Sequence, residues 1–288
     1  MQSTEDRTAT LERLRAMANR MRRNALRMAL GAGSLGAHVA PGLSIIEICA
    51  VLYGAVMKLR PGEPQWEDRD RFLLSKGHGV LGYYTALAEA GLLPMEELDT
   101  FEAPESALTG QPGMCLEKGI ELSSGSLGLG LAVGIGVALA AKKRKRTYTT
   151  YVLMGDGECN EGTVWESAMA ASHFRLDNLV AVIDSNGLQS DGPCEAIMSM
   201  GNQVAKWTSF GWEATEAPGH DVASLYEIFT LPRREPGKPL VVVASTVKGK
   251  GVSFMENNNN WHHSRLTQAQ YDAAMTELAD LPIGGGSC

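Results

Sequence analysis

The sequence predicts an α/β fold, a mostly parallel sheet with helices on both faces. Short β-rich apolar runs alternate with segments of helical periodicity along the chain. Two of those runs, "TYTTYVLM" and "NLVAVID", flank the helical pattern "EGTVWESAMAASHF". That is a βαβ unit, whose strands run parallel. At 288 residues the chain is long enough for one large core, so a single domain over 1–288 is expected.

The elements follow in order. Residues 1–30 read as an N-terminal helix, because Leu11, Leu14, Met17, Met21, Ala25 and Met28 recur at helical spacing. Its arginines are similar to those of a transit peptide, but Glu5, Asp6 and Glu12 count against an address, and no signal-peptide apolar core is present. A helix packed on the domain is the expectation, over a membrane-surface helix. A glycine-rich loop from Gly31 to Gly42 carries His38, and "IIEICAVLYGAVM" continues as an apolar helix. After a turn at Pro61, "DRFLLSKGHG" reads as a strand entering a loop, and "VLGYYTALAEAG" as a helix. The loop from Ala103 to Leu122, with Pro104, Pro112 and three glycines, is long enough to suggest a functional excursion.

From Leu127 to Ala141 an apolar helix follows, too short for a membrane span of ~20 residues. Gly128, Gly130, Gly134 and Gly136 each weaken a helix by up to ~1 kcal/mol against alanine. Their presence implies a backbone pressed close, within the fold or across a subunit interface. The basic run Lys142 to Arg146 reads as a solvated turn between helix and strand, not a localisation signal.

The formal net charge of −7 and the 44% apolar content describe a soluble globular protein with no basic footprint for nucleic acid and no membrane span. Anionic ligands must then be met by local features. The odd cysteine set, Cys49, Cys115, Cys159, Cys194 and Cys288, lacks metal-ligand spacing and reads as free thiols in a cytoplasmic protein.

The βαβ unit brings Asp156, in "GDG", and Asn186, in "SNG", to the carboxyl ends of neighbouring strands, where open α/β sheets bind ligands. A carboxylate, an amide oxygen and the backbone carbonyl of Leu188 suit a hard cation that also binds phosphate, and magnesium is the natural choice. Either glycine motif alone is ordinarily a turn. Together, with Asn186 thirty residues after Asp156, they match the thiamine-diphosphate-binding motif.

On these residues the chain resembles the amino-terminal, thiamine-diphosphate-binding part of transketolase, or that subunit of a split transketolase. "DRFLLSKGHG", "LSSGSLGLGL" and "TVKGKGVSFMENNNNWHH" each resemble a family segment in family order, from about Arg20 to Leu278. The resemblance implies a thiamine-diphosphate-binding fold and two-carbon ketol transfer, or a related acyl transfer, from a ketose or keto donor to an aldehyde or acyl acceptor. Its implied cofactors are thiamine diphosphate and magnesium. It implies His78, Gly125, Leu127, Gly157, Asn186 and His262 at the cofactor, and His38, Gln111 and His262 at the substrate. His38, His78 and His262 become the candidate proton carriers. Glu161 is implied in a carboxylate network linking paired sites; on its own it reads as a capping carboxylate at a helix start. The family's pyrimidine-binding domain, with its activating glutamate, lies in the carboxy-terminal part, so a separate partner subunit in a heterotetramer is expected.

The chain also departs from the pattern. Ala40 and Pro41 stand where the first loop usually has glycines, Leu129 stands for a glutamine, and Gln111 occupies the place of a donor-contacting histidine. Glutamine hydrogen-bonds but does not shuttle protons near neutral pH. Two alternatives remain open: a thiamine-dependent 2-oxo-acid decarboxylating or deoxyxylulose-phosphate-synthase-like subunit, and a non-catalytic assembly subunit.

Overall fold

The computed structural model describes residues 4–231 and 235–280. Its helices are α1 (Thr4–Gly31), α2 (Val39–Leu43), α3 (Ile46–Val51), α4 (Val80–Glu89), α5 (Leu129–Lys143), α6 (Gly162–His173), α7 (Cys194–Met198), α8 (Gln203–Ser209), α9 (Val222–Thr230) and α10 (Gln268–Asp280). The strands are β1 (Arg71–Leu74), β2 (Thr150–Gly155), β3 (Leu179–Ser185), β4 (Glu213–Pro218) and β5 (Leu240–Ser245). They form one sheet in the order β1-β2-β3-β5-β4. Every pairing is parallel. The expected "mostly parallel" sheet is thus wholly parallel among the described residues.

Strand period decides which side chain meets which layer. Phe72, Leu74, Tyr151, Leu153, Val180, Val182, Leu240 and Val242 face a core shared with α1, α3, α4 and α10. Leu73, Val152, Met154, Ala181, Ile183, Val241 and Val243 face the opposite core, shared with α5, α6 and α8. Burial on both faces is why these strands read as unbroken apolar runs. The stripe along α1 is buried as expected at Leu14, Met17, Met21, Ala25 and Met28, with Leu11 packed at its edge.

Four local expectations need correction. The first loop is not wholly irregular: Pro41 lies in the first turn of α2, where its missing N–H costs nothing. The apolar helix through "IIEICAVLYGAVM" is interrupted, since α3 gives way to a π turn at Leu52–Val56. There Gly54 sits so tightly on α1 that a Cβ would fall 2.8 Å from the Met17 sulfur, and the Leu14 and Met17 side chains would have to move to admit it. The glycine-rich helix begins at Leu129, after Gly128 in the left-handed region (φ 84°). Gly130 and Gly134 press against Ser75 and Val152 of the sheet layer, whereas Gly136 faces open space. Within the fold, then, only part of the glycine pattern is used. The expected turn over Lys142 to Arg146 is shorter: Lys142 and Lys143 close α5, and only Arg144 to Arg146 form the exposed turn toward β2, with Arg146 paired to Asp68 at 3.0 Å. Cys49, Cys115, Cys159 and Cys194 are free; Cys288 lies outside the described residues.

Candidate active site

The carboxyl ends of β1, β2, β3 and β5 release the loops that carry the sequence-predicted residues. Asp156 leaves β2 at a position 4% exposed and ties two loops together. Its carboxylate accepts from the Gly157 amide at 2.8 Å and from the Gly187 amide at 2.6 Å. Asn186 leaves β3, donates from Nδ2 to Asp184 at 3.0 Å, and accepts from the Leu188 amide at 3.0 Å. Leu188 is held in turn by a bridge to Pro193. Asp156, Asn186 and Leu188 therefore stand on adjoining turns. Burial, and then the nearby Asp184, push the Asp156 carboxyl above its ordinary range. No Lys or Arg among the described residues is hydrogen-bonded to it. A divalent cation would supply the missing counter-charge, so the donor set fits the expected metal.

Sequence reasoning missed the charged scaffold beneath these turns. Asp184, fully buried, accepts from Ser44 Oγ at 2.5 Å and also from Lys76 and Thr246. Lys76 adds a bond to the Pro41 carbonyl at 3.2 Å. Lys248, 1% exposed, donates to the Gln189 carbonyl at 3.0 Å and to Asn259 Oδ1 at 2.9 Å. Burial and the neighbouring Lys76 push its ammonium down to about 8. Glu158, given no role from sequence, is buried and accepts from the Gly128 amide at 2.9 Å, the Gly155 amide at 3.1 Å and Ser75 Oγ. It pins the "SLGLG" turn to the "GDG" turn. The signal that could have found these residues is charge inside otherwise apolar or glycine-rich segments.

The opposite wall is built of imidazoles. His38 lies 5.5 Å from His262, 6.0 Å from His78 and 4.6 Å from His263, and His78 lies 5.3 Å from His262, as ring centroids. Chain segments far apart in sequence meet here through a two-bond bridge: the Ala37 amide donates to the Ser264 carbonyl at 2.9 Å and the Ser264 amide returns to Ala37 at 3.0 Å. Burial, reinforced by His263, pushes His38 down to about 4. Burial and Lys248 push His262 down to about 4, and burial with Lys76 holds His78 well below its ordinary value. All three are neutral imidazoles at physiological pH.

Buried polar atoms without partners gather on this wall: His38 Nδ1, His262 Nδ1, Gln111 Oε1 and Ser124 Oγ. Gln111, Ser124 and Gly125 crowd Gly77, leaving no room for a Cβ beside His78. Gly125 itself has φ 148°, and a Cβ on Gly157 would fall 2.6 Å from Gln189. This glycine cradle and its orphaned donors and acceptors fit a polar cofactor and substrate. The asparagine run is not a loose loop: the Asn257 amide donates to Lys248 O at 2.8 Å and Asn259 Nδ2 to Ser190 O at 3.2 Å. Glu161 stands apart from the cluster. It occupies the N-cap of α6 with no side-chain cap bond and is exposed beside Gly128, so the capping role expected of it is not seen.

The thiamine-diphosphate-binding domain model of transketolase matches residues 15–280. The chain belongs to the transketolase family. It is 40% identical over 247 residues to the 6-deoxy-6-sulfo-D-fructose transketolase subunit of a Clostridium species, covering 85% of this chain and 90% of that one. It is 39% identical over 243 residues to an apulose-4-phosphate transketolase subunit from Phocaeicola vulgatus, covering 84% and 86%. Among solved structures, transketolase from Leishmania mexicana superposes with TM-score 0.84 at 28% identity, and that from Campylobacter jejuni with 0.85 at 27%. Each match covers 92% of this chain, which spans only 41% and 42% of those two transketolases. Family membership makes the chain a transketolase-type transferase with a thiamine-diphosphate-binding domain. No described helix is long and apolar enough to cross a membrane.

Proposed function

We propose that this chain is the diphosphate-binding subunit of a two-subunit, magnesium-dependent ketol transferase. The observation that carries this reading is one sheet end with two complementary walls: a buried carboxylate lacking a counter-cation at Asp156, and orphaned polar atoms on His38, His262 and Gln111.

In this reading Asp156, Asn186 and the Leu188 carbonyl hold magnesium. Gly125, Leu127, Gly157, His78 and His262 line the diphosphate, and Lys248 faces it as a point charge. Thiamine diphosphate, when bound, supplies the electron sink for breaking a carbon–carbon bond beside a carbonyl. The remaining work falls to the chain's own side chains. His38 and His262, being neutral, accept protons from sugar hydroxyls and return them, a service ordinarily worth ~10² to 10⁴-fold. Gln111 orients the donor through hydrogen bonds without exchanging a proton. His78 holds the cofactor side of the pocket.

The whole of 1–288 serves as one domain in this proposal. Support for a partner comes from relatives that are named as subunits, and from the two-fifths share of the transketolase structures that this chain spans. The partner supplies the pyrimidine-binding half, the assembly is a heterotetramer, and exposed Glu161 faces the seam. Free thiols at Cys49, Cys115, Cys159 and Cys194 suit a reducing cytoplasm. The test is exchange of the cofactor's C2 proton followed by NMR. The chain with cofactor and magnesium alone is expected to leave that proton at its solution rate, and brisk exchange without a partner sinks the two-subunit reading.

A further inference from the structure

Behind Lys248 lies a buried charged relay that touches neither metal loop nor histidine wall. Glu47 on α3 is 8% exposed and Arg22 on α1 is 5% exposed. One Glu47 oxygen pairs with Arg22 Nη2, and the other meets His220 Nδ1 at 2.8 Å. His220 stands just beyond β4, and its Nε2 accepts from the Val247 amide at 2.7 Å. That bond fixes the tautomer: Nε2 is bare, so Nδ1 carries the proton and donates to Glu47. Arg22 Nε donates to the Lys250 carbonyl at 2.9 Å.

The two arms of the relay therefore grip the backbone immediately before and two residues after Lys248. Close packing fixes the segment further. The Gly249 amide donates to Ala40 O at 3.0 Å, Gly249 is left-handed (φ 83°), and a Cβ on Gly251 would fall 2.6 Å from Arg22 Cδ. Gripped on both sides, the segment delivers the Lys248 ammonium to the Gln189 carbonyl, next to the turn that holds Asn186 and Leu188. Burial alone would raise the Glu47 carboxyl, but Arg22 and His220 outweigh it and lower it to about 2. Glu47 is thus a permanent anion that both arms share.

We propose that His220 is a positioning residue: with Glu47 and Arg22 it sets the Val247–Lys250 backbone so that Lys248 faces the diphosphate. The inference rests on the cofactor site proposed above. It also assigns the two ring nitrogens different duties. Nδ1 anchors to Glu47, and Nε2 alone reaches the backbone that carries Lys248.

The test is calorimetry of thiamine diphosphate with magnesium on the complete complex of this chain with its partner. His220→Ala is expected to weaken binding about tenfold, or ~1.4 kcal/mol, and Lys248→Met by a similar factor. The double variant should bind no worse than about either single one, because His220 acts through Lys248. His220→Gln, whose amide oxygen reaches where Nε2 accepted, should restore most of the affinity; His220→Asn, which reproduces only the Nδ1 side, should not. Additive losses in the double variant, or equal recovery by Gln and Asn, overturn the relay, since general destabilisation predicts both. Unchanged binding in His220→Ala overturns it outright. If Asp156→Ala abolishes binding while Lys248→Met leaves it intact, the relay fails and the cofactor site stands. If Asp156→Ala also binds normally, the site and the relay fall together.

Discussion

The two walls of the site are made differently. On the Asp156 side almost every polar group already has a protein partner: Asp184 is met by Ser44, Lys76, Asn186 and Thr246, and Glu158 by two amides and a hydroxyl. On the histidine side His38, His262, Gln111 and Ser124 each keep a buried atom without one. A satisfied network is rigid and holds its shape before any ligand arrives; orphaned atoms at the end of a sheet mark where a ligand's own groups belong. The first wall is a scaffold for the cofactor, and the second is where substrate chemistry is decided.

The sharpest way to break this contrast is at Asp156. Asp156→Ala should weaken magnesium-dependent cofactor binding by about a hundredfold or more, since even residues that merely support a metal ligand are worth ~10 to 100-fold. Asn186→Ala should cost less, as it removes a neutral oxygen. Asp156→Asn discards the charge and keeps an acceptor for only one of the Gly157 and Gly187 amides; if it binds cofactor as tightly as the wild type, the metal assignment is wrong.

Next in size is Glu158, whose effect should appear in stability. Glu158→Ala strands three buried donors, each costing ~1–3 kcal/mol when unpaired, so a loss of about 3 kcal/mol or more is expected in urea unfolding. A loss under about 1 kcal/mol would mean that water replaces the carboxylate and the wall is less closed than described.

How much of this was legible beforehand follows from where each signal lies. β1, β2 and β3 were readable because strands buried on both faces spell unbroken apolar runs; β4, with only Ala217 buried, spells no such run. Asp156 and Asn186 were readable because glycines surround them at strand ends. Asp184, Lys76, Lys248 and Glu158 were not assigned, because their roles arise from contacts between segments distant in sequence: charge inside an apolar or glycine-rich segment marks such a residue but does not name its partner. The break between α3 and the π turn was equally hidden: the close packing of Gly54 on Leu14 and Met17 of α1 is a contact between helices distant in sequence. The three histidines were found through motif resemblance; their convergence was visible only in the fold.

Gln111 offers a smaller effect that sharpens the comparison. Gln111→His places an imidazole on the wall that decides substrate, and kcat/KM with a ketose-phosphate donor in the complete complex should rise about tenfold, some 1.4 kcal/mol of transition-state stabilisation. Cofactor affinity should not move. No gain with any ketose phosphate would mean that this position does not set donor preference.

A further effect, read in stability and not in turnover, is in pH. His38 and His262 sit at about 4 in the folded chain, against about 6.5 when unfolded. Between those values the unfolded chain binds the extra protons, so stability rises with pH, is fully present above about 6.5, and falls as pH drops toward 4. His38→Gln should flatten that slope in unfolding curves at pH 5 and 7; an unchanged slope would show that His38 is not held neutral.

The bridge between Ala37 and Ser264 has a consequence for biosynthesis. It joins residues far apart in sequence, so closing it carries a large loop entropy that must be met before the contact gives anything back. The scaffold wall around β2, β3 and the turns between Asp156 and Leu188 can begin to assemble while the ribosome is still making the residues that follow. The histidine wall cannot, because His262 and Ser264 emerge long after Leu188. The scaffold wall also draws Thr246 and Lys248 from that later stretch, so the complete pocket waits on residues made well after the Asp156 and Asn186 turns.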